Sequence, residues 1–148
     1  MTTFPMNKSL PGFLQITYRN DLDMLVVRWL RQAEVPELRQ GYLAILEAAT
    51  AVGCRYWLLD ARRRRNTDQV AQRWMLEEFL PASTAQLHGR LYICYLLAPV
   101  SLRDAEADGA FPPAVFFADK PYMGERFIDE GEAIGWLRQC QQQELLVK

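Results

Sequence analysis

The chain has 148 residues, half of them hydrophobic and 24% charged, with 17 Lys and Arg against 18 Asp and Glu. A formal net charge of -1 excludes a basic surface spread over the whole domain, and with it a general grip on nucleic acid. The size predicts one domain that buries enough surface to fold without a metal or disulfide staple.

Residues 1–12 carry two prolines before any periodic pattern and are read as a flexible N-terminal arm, with the domain itself spanning 13–148. Residues 13–18 alternate, with Leu14, Ile16 and Tyr18 on one side, which predicts a half-buried strand. Arg19-Asn20-Asp21 supplies turn chemistry, and residues 24–30 return as the second strand of a hairpin. Pro36 suits a first helical turn. Leu38, Tyr42, Ile45, Leu46, Ala49 and Val52 then form one apolar stripe, and Gly53 is a natural stop.

Residues 55–61 are apolar on both faces, as in a strand covered by helices on each side. This run ends at Asp60, and the basic turn Arg62-Arg63-Arg64-Arg65 leads to a helix over about 67–80, capped by Asn66 or Thr67 and ended by Pro81. Val70, Trp74, Met75, Leu76, Phe79 and Leu80 spread around much of that helix, so it is buried on more than one face or meets a partner. Residues 91–97 form another central strand, 99–113 a long connection and 114–118 a short strand. Residues 120–124 read as a surface turn, with a lid as the alternative, and 126–128 as a short extended piece. A last helix starts at Asp129, with Ala133, Trp136, Leu137 and Cys140 as its apolar stripe.

Cys54, Cys94 and Cys140 are too few and too widely spaced for a disulfide framework or a zinc site, and reduced thiols predict a cytoplasmic protein. No secretory leader pattern is visible, and no apolar run reaches the about 20 residues that a transmembrane helix requires. Glycine-rich phosphate loops are absent. His88 is the only histidine and sits in a turn without a nucleophile pattern, so neither a metal site nor enzyme catalysis is expected.

The order hairpin, helix, strand, helix, strand, long loop, strand, helix, with the strand ending in Asp60 and the closing segment Arg126-Phe127-Ile128-Asp129-Glu130-Gly131-Glu132-Ala133-Ile134-Gly135-Trp136-Leu137, resembles a STAS domain, the anti-sigma-factor-antagonist-like family. The resemblance spans about residues 13–140. It implies an α/β fold, a small mixed sheet with helices packed on it, no cofactor, and regulation through protein–protein contacts. In the family's anti-sigma antagonists, a Ser or Thr at the start of the helix after the central strand accepts a phosphate. The corresponding stretch here is Arg65-Asn66-Thr67-Asp68-Gln69, where Thr67 supplies the hydroxyl without the family's Asp-Ser-Ser/Thr-Gly pattern.

Three candidate sites follow. Arg62, Arg63, Arg64 and Arg65 are either a solvated loop or an anion site beside a helix start, where they would also hold a phosphate on Thr67. Trp74, Met75 and Phe79 are core aromatics and aliphatics, or a surface for a protein partner or a second copy of the chain. The alternative function is a small-molecule or lipid-like ligand in an apolar pocket between that helix and residues 111–122, with the arginines reading its acidic head. Asp60 is expected to accept backbone N–H bonds or pair with an arginine rather than to act as a catalyst.

Overall fold

Alternation builds the hairpin. In the computed structural model, β1 (Leu14–Arg19) pairs antiparallel with β2 (Met24–Trp29), with Leu14 opposite Trp29 and Ile16 opposite Val27. The turn is held by its own side chains: Arg19 makes two bonds to Asp21, and the Tyr18 hydroxyl donates to Asp23 at 2.8 Å. The structure describes residue 10 and residues 12–64, 69–100 and 114–147. Most of the N-terminal arm, Arg65, Asn66, Thr67 and residues 101–113 of the long connection lie outside the described residues.

Helix α1 (Val35–Val52) begins with Pro36 in its first turn and ends at Gly53, whose φ of 67° is the left-handed stop that glycine adopts most readily. Glu37 accepts the Glu34 N–H at 3.0 Å and both arms of Arg31; these bonds, Arg31 first, hold its carboxyl down at about 2. Leu38, Tyr42, Ile45, Leu46 and Ala49 of the expected stripe are buried.

β3 (Tyr56–Asp60) and β4 (Leu91–Leu96) are buried along their whole length. β5 (Tyr122–Phe127) completes one five-stranded sheet in the order β1-β2-β3-β4-β5, parallel except for the first pair. The architecture is therefore α/β, a mixed sheet with helices packed on it. Each parallel strand neighbours the one before it, so the right-handed crossovers put their helices on one face. On that face Trp29 meets Tyr42 of α1 at 5.6 Å between ring centroids, and Trp57 meets Phe79 at 6.2 Å. The final helix, α4 (Glu130–Val147), covers the reverse face, where its Trp136 packs on Phe127 and its Glu144 reaches Arg55.

Three expectations are corrected. Residues 114–118 do not form a strand; Ala114–Phe117 is a 3-10 turn that lays the Phe117 ring over the sheet. Gly124 is the reason it fits, because a Cβ there would stand 2.8 Å from that ring. Residues 120–124 are not merely a surface turn or lid, since Tyr122 and Gly124 are buried in β5. Pro81 does not end its helix: α2 (Gln69–Trp74) continues through a π turn (Met75–Phe79) into α3 (Leu80–Leu87).

Candidate functional site

Asp60 is the hub of the sheet's carboxyl edge. Its Oδ1 accepts the Arg62 backbone N–H at 3.2 Å and the Arg62 Nε at 2.9 Å, while its Oδ2 accepts Arg62 Nη2 at 2.8 Å and Arg28 Nη1 at 2.9 Å. Arg28 also reaches Glu130 at the start of α4, at 2.8 Å. Burial pushes the Asp60 carboxyl up, but the bonds from Arg62 and Arg28 outweigh it and hold the group below the usual carboxylate range. The group is thus an ionised structural acceptor. An open cleft of about 800 Å³ lies over this edge, bordered by Gln15, Arg28, Asp60, Arg62, Arg63 and Glu130.

Among the described residues 62–64, the arginine run does not form one patch. Arg62 turns back to Asp60, and Arg63 is exposed. Arg64 is only 3% exposed, with its guanidinium 4.6 Å from the Trp29 ring centroid and bonded to the Tyr42 hydroxyl at 3.2 Å. Arg64 is therefore corrected from anion ligand to core cation, seated on aromatic faces that favour a guanidinium. In a tight turn successive side chains leave in different directions, so four like charges in sequence need not share a surface.

The helix after β3 corrects a second expectation. Met75 and Phe79 are 2% and 3% exposed, and Phe79 packs on Tyr42, Trp57 and Trp74, so these two belong to the core and not to a partner surface. Trp74 is half-buried, with the Arg39 guanidinium 5.1 Å from its ring centroid. The π turn explains the apolar excess. Its extra residue rotates the phase of the helix, so the buried stripe passes from Ala71 and Met75 to Phe79, Leu80 and Ser83.

The same turn builds a cleft. The Leu80 N–H bonds to the Met75 carbonyl, five residues back, and so is drawn away from Leu76. The residue five beyond Leu76 is Pro81, which has no N–H. The Leu76 carbonyl instead accepts the Tyr122 hydroxyl at 3.2 Å, which ties the start of β5 to the helix. Beside this tie lies a cleft of about 780 Å³ between the helix and residues 116–122. Leu76, Pro81, Phe116, Pro121 and Tyr122 supply its apolar walls; Gln72, Arg73, Glu77 and Lys120 supply polar groups.

A third cluster, at the amino edge of the sheet, was not anticipated from sequence. Arg55 grips Glu144 with two bonds of 2.9 Å, and the Tyr56 hydroxyl donates to the same carboxylate. Tyr56 stacks on Tyr92 at 5.2 Å between centroids with the rings 11° from parallel. Residue spacing offered no signal for a pair separated by 89 positions. His88 caps α3 in a left-handed conformation before β4 begins, so it stands at the opposite end of the sheet from Asp60.

All three cysteines are buried, and burial pushes each thiol up, Cys140 to about 11. Among the described residues no three His, Cys, Asp or Glu side chains gather as a metal set, and no helix is long and apolar enough to cross a membrane. No protein-family model matches the chain, and no curated protein matches it in sequence.

Proposed function

We propose that the chain is a non-enzymatic STAS-like regulatory module that works through contact with a protein partner. The observation that carries this reading is the sheet: parallel neighbours joined in sequence order after a leading hairpin, with a closing helix on the reverse face. The engagement of Asp60 by two arginines supports a structural role for the one acid at the carboxyl edge of β3. The surface offered to a partner is the exposed Arg63 together with the half-exposed Trp74 on the helix that follows. Affinity capture from the host with the wild-type chain and the double variant Arg63→Glu, Trp74→Ala tests it. A protein retained by the wild type and lost by the double variant is the expected result; equal retention by both sinks the reading.

A second reading, a binding protein for a small ligand, is favoured by the cleft beside the π turn, whose volume of about 780 Å³ suits a small molecule. Native mass spectrometry of gently purified protein tests this reading. An added mass that leaves on denaturation supports it, and a bare chain from a host rich in small metabolites counts against it.

A further inference from the structure

We propose that the cleft between the π turn and the start of β5 binds a flat aromatic carboxylate, with Arg73 and Lys120 on the acid and the ring between Phe116 and the prolines. The proposal rests on the ligand-binding reading and gives that ligand a chemical class.

The walls decide the shape. Phe116 and Tyr122 contribute aromatic rings to the lining, and Pro81 and Pro121 contribute compact apolar pyrrolidine rings. An aromatic face gains most from a flat apolar guest, since stacked contact removes the largest area from water. Phe116 is 40% exposed although it is a large apolar side chain, so a guest laid on it would bury surface that the fold leaves wet.

The charges decide the sign. The lining carries two cations, Arg73 and Lys120, against one carboxylate, Glu77. Arg73 is exposed and makes no ion pair with another described residue. Lys120 is held only loosely: its Nζ lies 3.5 Å from Asp119, whose side chain is 85% exposed, and 5.3 Å from the Phe116 ring centroid. The ammonium therefore already sits beside the ring that would stack the guest. An ammonium and a guanidinium at the rim of an apolar slot bind a carboxylate by charge-assisted hydrogen bonds, which are stronger than neutral ones.

The two sides of the cleft are also tied together. The Tyr122 hydroxyl on the Leu76 carbonyl joins its two walls, and that carbonyl is available because of the π turn and Pro81. Pre-formed walls lower the ordering cost of binding.

The test uses 2-naphthoate and its neutral isostere 2-naphthamide, followed by backbone amide NMR and calorimetry on the full chain. Naphthoate is expected to bind saturably at one site and to perturb amides of residues 72–81 and 116–122. The amide is expected to bind about tenfold more weakly, having lost its charge. The double variant Arg73→Glu, Lys120→Glu should weaken naphthoate by about tenfold or more, through lost attraction and new repulsion. Arg138→Glu, exposed on α4 across the sheet from the cleft, should leave affinity unchanged. Equal affinity for acid and amide, perturbations at another face, or unaltered binding in the double variant would overturn the assignment. A co-purified small molecule retained by the double variant would also overturn it while leaving the ligand-binding reading standing. A bare chain that binds neither probe would overturn both.

Discussion

Gly41 on α1 and Trp29 on β2 are fitted to one another: a Cβ on Gly41 would stand 2.6 Å from the Trp29 ring. Alanine in the middle of a helix is normally favoured over glycine by about 1 kcal/mol. Here the ring is 1% exposed and cannot swing aside, so the clash should win, with Gly41→Ala destabilising by about 1–3 kcal/mol. Gly135 on α4 is the control, because a Cβ there meets nothing within 4 Å. Gly135→Ala should stabilise by about 0.5–1 kcal/mol. Urea denaturation of the two variants against wild type checks both signs.

Asp60→Asn should destabilise by about 2–4 kcal/mol, because it strips charge from a buried acceptor and leaves Arg28 and Arg62 with poorer partners. The pH dependence has a definite sign. The folded-state pKa is depressed, so the stabilisation is fully present above the ordinary carboxylate value of about 3.9 and is lost as pH falls through the lower folded value. The gap between wild type and variant should therefore be flat above about pH 5 and should close below about pH 4. A gap that widens on acidification would contradict the ion-pair geometry.

Tyr122→Phe keeps the ring and removes the bond to the Leu76 carbonyl. A loss of about 1 kcal/mol in stability is expected. Hydrogen exchange should localise it, with faster exchange in the π turn and at the start of β5 than in α1. Uniform change across the chain would show that the tie is incidental.

The thiols give a chemical readout of the core. Cys54, Cys94 and Cys140 are buried and pushed away from the reactive thiolate form, so a disulfide reagent near pH 8 should titrate none of them in the native protein. All three should react once the chain is unfolded. Fast reaction of any one in the native state would mean that the packing around it opens readily.

Much of this architecture is legible in the sequence where one local rule dominates. The α1 stripe, Pro36 and Gly53 agree with one another, and the apolar run into Asp60 can hardly be anything but a covered strand. The sequence is silent where a distant partner decides. β5 contains Gly124 and Glu125, poor strand formers, and extends because β4 offers a full ladder. Pro81 reads as a stop because a proline normally ends a helix; here the π turn and a tyrosine 41 positions later absorb its missing N–H. Of the candidate site residues, Arg62, Arg63 and Trp74 stand at the surface or half-way to it. Arg64, Met75 and Phe79 turn inward because burial follows three-dimensional direction rather than charge or order in the chain.

The two ion pairs that hold α4 span 102 and 89 positions, from Arg28 to Glu130 and from Arg55 to Glu144. All five strands precede α4 in the chain. During synthesis the sheet can therefore assemble while one side of it, with Leu58 and Cys94 at its centre, still waits for its cover. Ribosomes add about 5–20 residues per second, so that side stays wet for seconds before α4 emerges. While it is uncovered, that side is an apolar surface open to aggregation or to a chaperone.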